Sequence, residues 1–244
     1  MPPSREIVPR GYQRDCSAAI LAAREAGRLG LYAQVNSVDW DSIVDRVFTN
    51  RIDQIAKGGE KYRRGEETPN ITVFDEHARF IGPKTIQTGE HLITGEQIVI
   101  AAGSRPVIPE VYAKSGVKYY TNEDIMRMDH QPQSLIVVGG GYIAMEFAHV
   151  FDGLGTKVTV VNRSETLLRH LDDDLSSRFN QIARDRFDVR IANGTKLEET
   201  DTGVRLELDN GESVEAEAIL VATGRTPNGD QMDLDKAGIE LLAD

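Results

Sequence analysis

Cysteine is nearly missing: the 244 residues include one, Cys16. A single thiol excludes an intramolecular disulfide and any cysteine-cluster metal site. Long apolar runs are missing too. The strongest, at residues 97–102, 135–139 and 218–222, fall far short of the roughly 20 residues a membrane helix needs. Basic residues are outnumbered, 28 against 39 acidic, for a formal net charge of −11. That balance disfavours a nucleic acid or an anionic membrane as the main partner, so any phosphate site must be a local one. Residues 1–15 carry Pro2, Pro3, Arg5, Arg10 and Arg14 but no apolar stretch, so they do not read as a secretory signal, and the cytoplasm is the expected compartment.

What is present is an ordinary globular composition, 40% hydrophobic, enough for one large or two small domains. Residues 1–16 show no periodicity and are expected to lack regular structure. An alanine-rich helix is expected over 17–30, ending in Gly27 or Gly30. A longer one, capped by Asp39 or Asp41, carries Ile43, Val44, Val47, Phe48, Ile52 and Ile55 at helical spacing before Gly58-Gly59. From Ile71 the period becomes two, over 71–74, 78–81 and 85–87, a β-meander that leads into a buried strand at 97–102 and an Ala102-Gly103 turn. The same order recurs late: strands at 196–199 and 204–208, an Asn210-Gly211 hairpin turn, then 218–222 and Gly224-Arg225. Two meanders feeding two similar strand exits point to two related lobes.

Between them, residues 135–148 read strand, G-x-G-x-x-A turn, helix. Gly139 permits the tight turn, Gly141 lets a pyrophosphate approach the backbone, and Ala144 lets the helix pack closely on the strand. Tyr142 and Ile143 open that helix, whose positive N-terminus faces the phosphates. A second strand, 157–161, follows as a dinucleotide unit requires. At its end NAD-specific sites usually carry an acidic residue for the ribose 2′-hydroxyl, but here stand Asn162 and Arg163, with Arg169 further along the loop. Arginines there fit a 2′-phosphate, so NADPH is expected over NADH. Glu165, Asp172, Asp173 and Asp174 dilute the positive field, so the arginines must act by geometry. His149 reads as structural or exposed, Cys16 as an inert or adventitious thiol, and Met126 and Met128 as helix packing. His170 has two readings, a phosphate aid or a loop cap.

The run 137–147, the arginine pair around 164–168 and the exit at 222–228 resemble the pyridine nucleotide-disulfide oxidoreductases of the glutathione reductase type. Residues 40–48, 59–64, 101–109 and 146–151 look most like the mycothione reductases among them. The resemblance implies an α/β fold: an FAD/NAD(P)-binding, Rossmann-like doubly wound domain with an inserted β-meander, plus an incomplete copy of the FAD lobe. It implies FAD beside NADPH, and a homodimer. It makes Glu146 a nicotinamide-side carboxylate and Tyr142 an aromatic gate over the flavin. Ala102 and Gly103 would border FAD, and Gly224 and Arg225 the pyridine nucleotide. The expected division is a partial FAD-binding lobe at 17–117, an NAD(P)H-binding domain at 118–228 and a return to the first lobe at 229–244. Hydride would pass from NADPH to flavin and electrons on to a disulfide. This sequence has neither the FAD G-x-G-x-x-G turn nor the C-x-x-x-x-C pair, and stops before the family's dimerisation domain. An NADPH-binding module without turnover is therefore the alternative expectation.

Overall fold

The computed structural model describes residues 7–241, with side chains from Cys16 onward. They divide into two compact units, one of residues 7–52 and Pro106–Gly224, the other of Asp53–Arg105 and residues 225–241. Residues 17–52, expected in the first lobe, therefore cluster with the segment of the glycine turn.

Helix α1 (Ile7–Glu25) begins at Ile7 rather than Ser17, so residues 7–16, expected without regular structure, are helical; residues 1–6 lie outside the described ones. Pro9 falls in the first turn, where the N–H it lacks would have no intrahelical acceptor. A 3₁₀ turn ends at Gly30, in the left-handed conformation. Asp39 caps α2 (Trp40–Val44), its carboxylate accepting the Ser42 N–H at 2.9 Å. The chain then winds as a π-helix over Asp45–Ile52 before resuming as α3 (Asp53–Arg63). The wider π turn breaks the 3.6-residue rhythm. Val47, Phe48 and Ile52 are consequently buried, whereas Ile55, expected on the same face, is 65% exposed. Gly58 and Gly59 do not end the helix, since neither takes the left-handed φ of a helix stop.

The smaller unit holds an antiparallel meander, β1 (Ala78–Gly82), β2 (Thr85–Thr88) and β3 (His91–Thr94). Residues 71–74, expected as a strand, are not one. Neither are 97–102, expected as a buried strand: Val99 is 88% exposed. A parallel strand exists by its neighbours' hydrogen bonds, and no described strand pairs with this run. The chain re-enters regular structure at β4 (Ser104–Pro106).

The larger unit is layered. After α4 (Glu110–Ala113), strands β5 (Ser134–Val138), β6 (Lys157–Asn162) and β7 (Asp188–Ile191) alternate with helices α5 (Tyr142–Leu154) and α6 (Asp173–Arg186). An antiparallel meander follows, β8 (Gly194–Thr200), β9 (Gly203–Leu208) and β10 (Ser213–Ala216), turning at Asn210-Gly211 as expected. Strand β11 (Ala218–Val221) then returns beside β5, giving a parallel sheet ordered β11-β5-β6-β7. Side chains alternate across the sheet. Leu135, Val137, Ala218 and Leu220 join the helix-side core with Phe147 and Phe151, while Ile136, Val138, Ile219 and Val221 join the meander-side core with Leu197 and Leu206.

Residues 17–52 belong here for reasons the sequence hides. Ser17, fully buried, lies over Gly153 so closely that a Cβ on the glycine would sit 2.5 Å from the serine Cβ. Trp40 stacks on Phe151 with ring centroids 5.7 Å apart, and its indole N–H donates to the Met128 carbonyl at 2.8 Å. In the smaller unit, β12 (Arg225–Pro227) pairs with β4. No helix among the described residues is long and apolar enough to cross a membrane.

Candidate functional site

The carboxyl ends of β5, β6 and β11 open into a cavity of about 670 Å³ within the larger unit. Ligands of open α/β sheets bind at such strand ends, and small-molecule sites fill roughly 300–1,000 Å³.

The glycine turn forms its floor. Gly139 has φ 123°, and a Cβ there would meet the Ala222 carbonyl oxygen at 2.3 Å, so no other residue fits. Gly140, left as an open position in the sequence pattern, is crowded by a side chain: its Cβ would lie 2.7 Å from the Asn162 carboxamide. Gly141 differs. Nothing lies within 4 Å of a Cβ built there, and the residue lines the cavity. Gly141 is the N-cap of α5, and Tyr142 and Ile143 of the first turn also line the wall. That turn's N–H groups have no intrahelical acceptors and form the positive helix end. Ala144 is fully buried, as close helix–strand packing requires.

At the β6 edge, buried Asn162 donates through Nδ2 to the Ser164 carbonyl at 2.7 Å. Arg163 and Arg169 are exposed in the cavity wall, and neither is ion-paired to a carboxylate among the described residues. Arg169 Nε donates to His170 Nε2 at 3.3 Å. Among the described residues the wall contains no aspartate or glutamate. A chain of net charge −11 thus presents a basic surface at this point. Leu168, 8% exposed, holds the loop to the turn in a left-handed conformation, φ 52°, with its N–H donating to the Gly140 carbonyl at 2.7 Å. Only the tertiary fold reveals that strain.

The opposite wall follows β11. Thr223 Oγ1 donates to the Val107 carbonyl at 2.7 Å, and the Val107 N–H donates to the Gly224 carbonyl at 3.0 Å. Tyr112 is buried there, its hydroxyl against Gly194, and burial pushes its phenol up to about 12, so it stays protonated at neutral pH. Asn122 is 2% exposed, and its Nδ2 finds no hydrogen-bond acceptor among the described residues. A buried donor without a partner in a cavity wall is costly unless a ligand or water completes it. A solitary asparagine gave no sequence signal of this.

The other expected residues lie elsewhere. Glu146 is exposed on α5 and does not line the cavity. Ala102, Gly103 and Arg225 belong to the smaller unit and do not line the cavity, whereas Gly224 does. There Asn228 donates through Nδ2 to the Ala102 carbonyl at 3.0 Å and through its backbone N–H to Gly103 at 2.9 Å, and Arg225 donates to Ser104. His149 contacts Arg186, and Cys16 accepts from Arg46 at 2.8 Å; both lie outside the wall. Among the described residues no cluster of His, Cys, Asp and Glu is arranged to hold a metal.

The family model for pyridine nucleotide-disulphide oxidoreductases matches residues 14–244. The chain belongs to that family. It is similar to the mycothione reductase of Mycobacterium tuberculosis, 45% identical over 89% of this chain and 48% of that protein. It is also similar to the glutathione reductase of Burkholderia cepacia, 29% identical over 89% of this chain and 47% of that protein. The HOCl-induced flavoprotein disulfide reductase RclA of Escherichia coli shares the fold, with a TM-score of 0.77 at 22% identity over 96% of this chain and 50% of that one. The chain spans about half the length of the curated relatives it matches. The architecture is the FAD/NAD(P)-binding α/β fold, and the family is one of flavin-dependent disulfide reductases.

Such enzymes use a pyridine nucleotide and FAD. The cavity suits the first: a turn in which Gly139 admits no Cβ, open room at Gly141, a helix N-terminus and two arginines without carboxylate partners among the described residues. For FAD the fit is lacking. The sequence's one G-x-G-x-x-A turn is in this cavity, and the Ala102 and Gly103 carbonyls each accept a hydrogen bond from Asn228.

Proposed function

We propose that the larger unit is the NADPH-binding part of a flavin-dependent disulfide reductase. The observation that carries this reading is the pairing of Arg163 and Arg169 in a wall without carboxylates among the described residues, beside a turn whose first position, Gly139, only glycine fits. Gly139, Gly141 and the first turn of α5 receive the pyrophosphate. The arginines take the 2′-phosphate, and Asn162 leaves room for it where an acidic residue would repel it. The nicotinamide half then points toward the β11 side, where Tyr142, Gly224 and the unpartnered Asn122 amide line the wall. Bound NADPH supplies a hydride for transfer to an acceptor. The whole protein reduces a low-molecular-weight disulfide of the mycothione class, a reading supported by the 45% identical relative. A cytoplasmic setting fits, since disulfides are kept reduced there.

A second reading, an NADPH-binding module without turnover, is favoured by one observation. The only thiol of this sequence, Cys16, lies outside the cavity wall, so the chain supplies no redox dithiol of its own.

Titration with NADPH and NADH tests the site. NADPH should bind at least about tenfold tighter, roughly 1.4 kcal/mol, and Arg163→Ala with Arg169→Ala should erase the difference. Equal affinities in the unaltered chain would refute it. The visible spectrum after adding FAD and desalting separates the two readings. Retained flavin that NADPH bleaches supports the reductase, and a colourless protein that still prefers NADPH supports the module.

A further inference from the structure

Two guanidinium groups on flexible stems select a 2′-phosphate only if the backbone bearing them is already fixed, because the ordering of each arginine opposes binding. In this structure the loop from Arg163 to Leu171 is fixed from behind, by side chains of α6 that do not line the cavity. Asn180 grips one residue at both ends: its Oδ1 accepts the Leu167 N–H at 2.9 Å, and its Nδ2 donates to the Leu167 carbonyl at 3.1 Å. The same Nδ2 donates to the Ser176 carbonyl at 2.7 Å, tying the grip to the helix backbone. Ser176, 4% exposed, adds its hydroxyl to the Leu167 carbonyl at 3.0 Å. One residue later, Leu168 is turned left-handed and bonded to Gly140. The chain of contacts runs from α6 through Leu167 and Leu168 to the glycine turn, with Arg163 on one side and Arg169 on the other. Leu168 is a leucine in a conformation leucine disfavours, so the bonds on either side of it are what keep it there.

We infer that Asn180 is a positioning residue for nucleotide selectivity: by holding Leu167 it sets Arg163 and Arg169 at the spacing a single 2′-phosphate needs. This rests on the reading that those arginines take the 2′-phosphate. It adds that discrimination between NADPH and NADH depends on a buried-side contact that touches neither ligand.

The test is equilibrium binding of NADPH and NADH to the full chain, to Asn180→Ala, and to the same substitution in an Arg163→Ala, Arg169→Ala background. Asn180→Ala should weaken NADPH about tenfold and NADH less than about twofold. In the arginine-free background it should change NADPH binding no further, since coupled residues are not additive. Equal weakening of both nucleotides, or the same loss in both backgrounds, would overturn the inference and leave Asn180 a general support of the fold. Should circular dichroism show Asn180→Ala unfolded, Asn180→Asp replaces it. The carboxylate keeps the acceptor for the Leu167 N–H but faces its carbonyl, so selectivity should still fall, and an unchanged NADPH preference would count against the proposal. Failure of the arginine reading is visible separately, as an unaltered chain that binds both nucleotides alike.

Discussion

Residues 97–106 and 218–227 are two versions of one phrase, an apolar run followed by Ala-x-Gly and a Pro three positions on. In the second version every residue of the strand is buried. Strand β11 pairs in parallel with β5 along its whole length, and on its other edge Tyr120 and β11 exchange backbone hydrogen bonds of 2.8 Å. In the first version the run is not a strand, and Val99 and Ile100 are exposed. The residue types hardly differ, so the strand is made by its neighbours. Parallel strands are stable as interior members of a covered sheet, and strand propensity is largely a measure of that setting.

Three tests, with five substitutions in all, sharpen or break the comparison. The largest effect is expected at Ile219, fully buried between β5 and the meander. Ile219→Ala should lower unfolding stability by about 2–5 kcal/mol in chemical denaturation, while Val99→Ala should stay within about 0.5 kcal/mol. Similar losses at both sites would mean that the first run is packed after all.

Next come the glycines. Gly139 and Gly103 both have positive φ, at 123° and 69°, but an added Cβ meets the Ala222 carbonyl at 2.3 Å in the first case and open space in the second. Gly139→Ala should cost more than about 2 kcal/mol and abolish NADPH binding, whereas Gly103→Ala should cost only about 1 kcal/mol, the left-handed penalty alone. Thermal melts with and without NADPH read both quantities.

The smallest effect is a pH dependence. Tyr112 is buried in the meander-side core that contains Ile219, and burial raises its phenol from 10.0 to about 12. The folded state therefore favours the protonated form. Its contribution is fully present below pH 10 and is lost as pH rises from 10 through about 12, a loss of roughly 2 kcal/mol. Tyr112→Phe should flatten that alkaline limb in denaturation curves between pH 9 and 12, on the order of the loss just given. An unchanged limb would place the phenol in water.

The sequence made the local features of the larger unit legible. The period of β5, the glycine turn, the Asn210-Gly211 hairpin and the arginines after β6 each announce themselves within a few residues. It failed where the deciding partner is distant. Residues 97–102 have the signature of a buried strand and no pairing strand. Ser17 and Trp40 looked like parts of the first lobe because their contacts, Gly153 and Phe151, are more than a hundred residues away. The π-helix hid behind a pattern that an α-helix also satisfies. At the site, the left-handed Leu168, the Asn180 grip and the unpartnered Asn122 amide carry no composition or spacing signal, since each is defined by what it touches.

Hydrogen exchange followed by mass spectrometry, with and without saturating NADPH and NADH, tests the central claim most directly. Peptides covering β5, β6 and β11 should exchange slowly, near the global limit, while those covering 97–103 exchange within seconds, because only paired amides are protected. NADPH should add protection at 139–144 and at 163–171, and NADH at 139–144 alone. Equal protection of 97–103 and 218–222, or identical footprints for the two nucleotides, would contradict the account.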